Sequence, residues 1–384
     1  MSIYLDYNAS APTDSRVLDC MIDVYRNHIG NPDSRTHSFG ENAREIVEQA
    51  RKQVASLLGI SANEVFFTSG ATESCNIAIQ GLEAYADASG KRHIITTAIE
   101  HKAVLETVKA MQRKGYEIEL VMPTRSGYVD ADEVLSRVRK DTLLVSTMHV
   151  NNETGVIQPV EEIGRVLADR AVLFHVDATQ SCGKLVEELR HLNYDMLSFS
   201  AHKFGGPQGI GALILRRKHY KIPPVKAIQY GGQQEHKIRP GTVPVALVAG
   251  CGKACEVVEA EFKENEACNH SIKSQIMRML ADSKVPFQLN GDPNHTISST
   301  LNIRFCGVSS EALMISVKGV CAISNGSACT ASDYSPSYVL TAMGLTEEEA
   351  KESIRISWGP HESSMKISEA IALFLRTVRE ISIV

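Results

Sequence analysis

Between residues 41 and 215 the apolar positions switch repeatedly between two periods. The run E-N-A-R-E-I-V-E-Q-A-R-K-Q-V-A-S-L-L (41–58) spaces its aliphatic residues three and four apart, which predicts a helix. The short apolar block E-V-F-F-T that follows predicts a strand. A helix after Glu73 and the strand H-I-I-T-T continue the alternation, and further strands are predicted at 118–121, 142–147, 172–176, 196–200 and 211–215, with a helix near 163–168. These strands are too apolar for a sheet with one wet face, so the pattern predicts an α/β fold with a mostly parallel sheet between helices. After Pro244 a long helical pattern runs to about Leu280. The strand T-L-N-I-R-F, a helix at 310–317, a short strand near Cys321 and a terminal helix from Ser364 then read as an α+β unit.

A chain of 384 residues exceeds the size at which a single core usually stops growing. We therefore expect a large domain over residues 15–250 and a smaller α+β domain made of residues 1–14 and 251–384. The boundary near 244–252 falls within or beside a helix, and no repeat or flexible linker interrupts it, so the domains are expected to be rigidly joined. A net charge of −5 argues against an extended nucleic-acid footprint, and Arg216-Arg217-Lys218 reads as a solvated strand end. No apolar run approaches the ~20 residues that span a bilayer, and the N-terminus lacks a basic region followed by an apolar stretch; a soluble, cytoplasmic protein is expected. The nine cysteines are odd in number and include no C-x-x-C pair, which fits a reducing compartment. Cys251 and Cys255, four apart in an apolar helical run, read as core residues, and no metal site is expected.

Candidate chemistry concentrates between Phe174 and Gly206. F-H-V-D-A-T-Q ends a strand on Asp177, and S-F-S-A-H-K-F-G-G ends the next beside Lys203. A lysine that bonds an aldehyde cofactor must lose its proton, which an apolar strand-to-loop junction promotes by desolvation. A carboxylate must face a pyridine nitrogen to keep it protonated, so Lys203 and Asp177 together point to pyridoxal 5′-phosphate. The segment F-F-T-S-G-A-T-E-S (66–74) is a strand, a glycine turn and a helix start; it would aim the N–H groups of Ala71 and Thr72 and a hydroxyl at a phosphate, or simply be a capped helix. Ser200 and His202 flank the lysine and are candidate donors to the same phosphate. Gln180 and Asn152 end neighbouring strands and are candidates for the cofactor's phenolic oxygen. His101, in E-H-K-A-V, is placed to stack on the ring and exchange protons. The loop S-N-G-S-A-C-T-A-S-D-Y-S-P-S-Y (324–338) is expected to be mobile, and Cys329, set among small polar residues, reads as a nucleophile rather than core. Arg355, on the strand-like S-I-R-I-S-W-G, offers the fork that suits an amino acid's α-carboxylate.

Taken together, these segments resemble a cysteine desulfurase of the NifS/IscS-like group, within the fold-type I (class V aminotransferase-like) pyridoxal phosphate enzymes. The resemblance runs almost end to end and is carried also by Y-L-D-Y-N-A-S-A-P (4–12), G-N-P-D-S-R-T-H (30–37), H-V-N-N-E-T-G (149–155), R-P-G-T (239–242) and S-N-G-S-A-C (324–329). It implies a seven-stranded sheet in the large domain, with the cysteine loop on the small one. It implies that L-cysteine displaces Lys203 from the cofactor, that the freed lysine takes the Cα proton, and that Cys329 attacks the substrate's sulfur. A persulfide on Cys329 and L-alanine follow, with His101 as proton carrier. It further implies that Thr242 reaches the phosphate in the other subunit of a homodimer, and that Asn31 and Arg355 hold the substrate carboxylate. A sulfur-acceptor protein then takes the cargo. Ser10 replaces the usual threonine, Pro240 stands where Ser or Ala is common, and Trp358 is an unusual neighbour for Arg355. The chain stops at Val384 without the longer tail by which relatives dock an iron–sulfur scaffold. Its acceptor is therefore expected to differ and to belong to a dedicated pathway, with DNA phosphorothioate modification one candidate and tRNA thiolation or a specialised iron–sulfur cluster assembly system others. A selenocysteine lyase or a non-catalytic sulfur-transfer scaffold are the alternatives; an aminotransferase would have no need of Cys329.

Overall fold

The computed structural model describes residues 2–218, 220–326 and 336–382. Its centre is a seven-stranded sheet in the order Val65–Thr68, Gly211–Leu215, Met196–Ser200, Leu173–Asp177, Thr142–Met148, His93–Thr97 and Glu117–Val121. All neighbours pair in parallel except Gly211–Leu215, which runs against both strands beside it. The predicted sheet is therefore present with one reversed strand, whose direction an apolar run cannot encode. Five of the seven strands are buried along their whole length. That accounts for their unbroken apolar composition, since both faces are covered by helices.

Ser38–Leu58 shows why one of those helices forms and where it stops. His37 caps its start by accepting from the Gly40 N–H at 3.1 Å, and Gly59 ends it in the left-handed conformation at φ 65°. Ala43, Val47, Ala50, Val54, Leu57 and Leu58 lie on its buried face, and all but Ala43 join the main apolar cluster. A helix that the periodicity did not reveal, Ser15–Asn27, caps itself on Asp14 and buries only Val17 and Val24.

The longest element is the helix Val245–Asp282, whose 38 residues extend for about 57 Å. Its first half packs Val248, Cys251, Cys255 and Val258 into the apolar cluster around the large sheet. Its second half packs Ile272, Ile276 and Leu280 into a separate cluster with Phe305, Trp358 and Phe374. The sequence change near 244–252 thus lies inside one continuous helix that serves both cores. The second core covers the antiparallel sheet Ser353–Ser357, Thr300–Phe305, Phe287–Leu289, and the parallel pair Ile3–Tyr4 with Cys321–Ala322. The N-terminal residues therefore belong to the same unit as the C-terminal strands. Among the described residues no helix is long and apolar enough to cross a membrane.

Candidate active site

In a sheet of parallel strands the carboxyl ends all open on one edge, and ligands collect in the crevice there. Here that edge holds a cavity of about 380 Å³. His101 follows the strand His93–Thr97, Asn152 follows Thr142–Met148, Asp177 ends Leu173–Asp177, and Ser200 ends Met196–Ser200. Lys203 sits one turn later in Ala201–Lys203, and Ala71 and Thr72 open the helix Ala71–Gln80. All of these side chains, with Gln180, His202 and Arg355, line the cavity. Asn8, Ala9 and Gly326 line it too, from segments that the strand pattern did not implicate. A larger cleft of about 590 Å³ opens beyond Lys203. It contains none of Asp177, His101 or Arg355, so the chemistry is assigned to the smaller cavity.

The Lys203 ammonium donates to the main-chain oxygens of Asn8 at 2.7 Å and Ala9 at 2.9 Å. Asp177 is 4% exposed, and its Oδ1 accepts from the Thr179 N–H at 3.0 Å and from the Thr179 hydroxyl. Behind it runs a buried chain in which the His175 ring joins the Ser146 hydroxyl at 2.8 Å to the Ser198 hydroxyl at 2.9 Å. Burial pulls His175 down to about 4, so the ring under Asp177 is neutral at pH 7. Glu100 is fully buried one residue before His101. Its Oε1 accepts from the Thr97 hydroxyl at 2.6 Å and the Met148 N–H at 2.9 Å, while Oε2 has no partner. Desolvation, opposed by those two bonds and reinforced by Asp177, pushes its carboxyl up to about 8. Glu100 is therefore a neutral acid at pH 7.

His101 is also the N-cap of Lys102–Arg113, because its Nδ1 accepts from the Ala103 N–H at 3.1 Å. That bond leaves the proton of the neutral ring on Nε2. Burial lowers the imidazole's pKa; Asp177 opposes this and Lys203 adds to it. Arg355 donates from Nη1 to the Asn152 main-chain oxygen at 2.8 Å and from Nη2 to Asp6 Oδ1 at 2.6 Å, and its Nε has no partner.

The phosphate-type turn depends on Gly70, at φ 147°, where a Cβ would also stand 3.0 Å from Ser200 Oγ. The Ala71 N–H is taken by Ser200 Oγ at 2.7 Å, which leaves the serine's own hydrogen and the first-turn groups of Thr72 for an anion. His202 meets Ser10 Oγ at 3.2 Å, and burial followed by Lys203 pulls it down to about 4. The turn is anchored from below by a buried ion pair that sequence reasoning missed. Arg51 meets both oxygens of Glu235 at 2.8 and 2.9 Å, and Glu235 also accepts from the Phe67 N–H at 2.8 Å. Glu235, His236 and Lys237 all hold positive φ, so this pair fixes a strained loop against the strand that feeds the turn.

A further residue escaped the sequence reading. Lys184 donates to Gln180 Oε1 at 3.0 Å and Asn8 Oδ1 at 3.3 Å, and Gln180 Nε2 donates in turn to the Asn8 main-chain oxygen at 2.9 Å. Lys184 keeps some exposure to the larger cleft. Even so, burial, with Lys203 and Arg355 adding to it, pulls its amine down to about 7.

Two predicted residues stand outside the cavity. Asn31 is exposed and its Oδ1 accepts from the Asp33 N–H at 3.0 Å, and Thr242 is exposed. Cys329 lies outside the described residues. What is assembled is a primary amine, a carboxylate, an imidazole, a guanidinium and a hydroxyl-rich helix start around one cavity. Asn152 Oδ1, buried without a partner at its wall, completes a donor set that fits pyridoxal phosphate, since a turn of the amide presents Nδ2 instead.

Comparison with known proteins agrees with this chemistry. Residues 3–369 match the family model described as aminotransferase class-V. The chain is 44% identical over 387 residues to a cysteine desulfurase IscS of Photorhabdus laumondii, covering 100% of this chain and 95% of the relative. Among solved structures, a NifS-like protein superposes with a TM-score of 0.89 at 36% identity, with 99% of each chain covered. SspA in complex with cysteine superposes with a TM-score of 0.81 at 35% identity, covering 94% of this chain and 100% of the other.

Proposed function

For a chain that belongs to the class-V aminotransferase family and is a pyridoxal-phosphate-dependent cysteine desulfurase, we propose the following division of labour among its residues. When bound, the cofactor supplies an aldehyde for exchange with amines and a ring that withdraws electrons from the substrate's Cα. The observation that carries the assignment is the convergence of Lys203, Asp177 and the Gly70 turn on one cavity.

Asp177 holds the ring nitrogen's proton, and the neutral Glu100 and His175 behind it keep that charge undivided. Thr72, Ser200 and His202 hold the phosphate, with Ala71 fixing Ser200; Thr242 reaches the phosphate of the partner subunit in a homodimer. Gln180 and Asn152 serve the phenolic oxygen. Arg355, oriented by Asp6, binds the α-carboxylate of L-cysteine, with Asn31 contributing once a partner chain covers it. Lys203, seated on two carbonyl oxygens, takes the Cα proton. The Cys329 thiolate then attacks the substrate's sulfur, so that an S–S bond forms as the C–S bond breaks and its electron pair moves to carbon. Protons delivered from Lys203 and from His101 Nε2 complete L-alanine. The persulfide on Cys329 passes to an acceptor protein.

For the organisation into residues 15–250, and 1–14 with 251–384, support comes from the pairing of Ile3–Tyr4 with Cys321–Ala322 and from the second apolar cluster, although Val339, Leu340, Met343, Leu345 and Ala350 pack into the cluster around the large sheet. The test is alanine and sulfide release from L-cysteine with a thiol reductant, with the absorption spectrum recorded for each variant. Cys329→Ser is expected to keep the cofactor's visible band and lose sulfide release; Lys203→Ala is expected to lose both. Full sulfide release by Cys329→Ser would refute the persulfide route.

A further inference from the structure

The side-chain amide of a glutamine can present either its oxygen or its nitrogen to a ligand, and only its surroundings decide which. Gln180 must present nitrogen if it is to donate to the cofactor's phenolic oxygen. Nothing in the strand Leu173–Asp177 or in the turn after it enforces that choice. Lys184 does so from one side, while the Asn8 main-chain oxygen accepts from the other; an ammonium has three donors and no acceptor, so whatever faces it must be oxygen. Its contacts are with two amide oxygens, Gln180 Oε1 at 3.0 Å and Asn8 Oδ1 at 3.3 Å. Gln180 Nε2 is thereby turned to the other side, where one hydrogen goes to the Asn8 main-chain oxygen at 2.9 Å and the second is left for a ligand. The same constraint orients Asn8, whose Nδ2 donates to Thr300 Oγ1 at 3.0 Å and the Asn152 main-chain oxygen at 3.2 Å.

We propose that Lys184 is a positioning residue that fixes Gln180 as a hydrogen-bond donor to the bound cofactor and, through Asn8, steadies the seat of Lys203. The proposal rests on the reading of Gln180 as a cofactor ligand given above. The surroundings of Lys184 favour this role over that of a structural ion pair. Among the described residues it has no carboxylate within ion-pair distance. The charges acting on it, Lys203 and Arg355, are both positive. Across the larger cleft Glu261 is engaged by Arg16 and Glu266 by Ser298. Burying an uncompensated ammonium is costly, and a merely apolar filler at this position would avoid the cost.

The test uses the holoenzyme and the pH titration of its visible absorption band, which follows the proton on the Lys203 nitrogen. A donor to the phenolic oxygen favours the deprotonated nitrogen, so Gln180→Ala is expected to raise the apparent pKa by at least about half a unit. In a Lys184→Met background, where only the Asn8 main-chain oxygen still holds the amide, Gln180→Ala is expected to shift the band by clearly less than in the wild-type background. Lys184→Arg, which keeps the donors, should restore the full response. An equal shift from Gln180→Ala in both backgrounds would overturn the role of Lys184 while leaving Gln180 a cofactor ligand. No shift from Gln180→Ala in the wild-type background would overturn the ligand reading itself and the proposal with it. Should Lys184→Met not fold, Gln180→Glu gives an independent answer. A carboxylate facing Lys184 gains a charge partner, so this variant is expected to melt no lower than Gln180→Ala, and a clearly lower melt would overturn the proposal.

Discussion

Replacing Glu100 by Gln should remove a pH-dependent weakness from the enzyme. The folded protein holds this carboxyl at about 8, against an ordinary 4.5, because desolvation outweighs the bonds from Thr97 and Met148. A carboxyl raised in the folded state means that the folded protein binds the proton more tightly than the unfolded chain does. Stability from this group is therefore full below about pH 4.5 and is lost as pH rises towards 8. Each pH unit inside that window corresponds to about 1.4 kcal/mol, so wild type should lose about 2.5 kcal/mol from Glu100 between roughly pH 5.5 and 7.5. Glutamine keeps an oxygen for the Thr97 hydroxyl and the Met148 N–H and has no proton to lose. Thermal melts of both proteins across that range should diverge with rising pH, by roughly 3 °C at the upper end for a chain of this length. A constant offset between the curves reports the amide's unpaired hydrogens; only the slope tests the charge. Parallel curves would show that Glu100 does not titrate in this window and would remove the argument that it is a neutral acid beside Asp177 at pH 7.

Other substitutions test other contacts. Glu235→Gln leaves the buried Arg51 with only the half-exposed Glu48 as a charge partner, with an expected cost of about 3 kcal/mol in stability and faster loss of cofactor on dialysis; unchanged retention would detach that pair from the phosphate turn. Arg355→Lys cannot keep both the Asp6 and Asn152 contacts, and it should raise KM for L-cysteine at least about tenfold while leaving the cofactor spectrum intact. His101→Gln, with no ring proton to give, should slow alanine formation by about a hundredfold or more; an unaltered rate would move the proton delivery elsewhere.

The strand edge was legible in the sequence because it is written locally. Asp177 and Lys203 each sit within three residues of an apolar strand, so reading the strand ends places the cofactor site. Pairings across long separations were not legible. Arg51 and Glu235 lie 184 residues apart, and no local pattern links them. Lys184 follows Gln180 by four residues, but outside a helical apolar pattern such spacing carries no signal. Glu100 was passed over beside His101 because its burial depends on the strands around it. The direction of Gly211–Leu215 escaped for a related reason, since a buried strand has the same composition whichever way it runs. The helix Ser15–Asn27 buries two positions, too few to show a period.

The lysine's seat has a consequence for how the enzyme is made. Lys203 rests on Asn8 and Ala9, near the start of the chain, and that segment is held by Asp6 to Arg355 and by a parallel pairing to Cys321–Ala322, near its end. On the ribosome the first of these residues must wait for the last. The large sheet is free to form while synthesis continues, but the amine is not seated until some three hundred and fifty residues have emerged. A truncated or stalled product would thus fold much of its core and still lack a working lysine, which keeps an incomplete chain from acting on the cell's free cysteine.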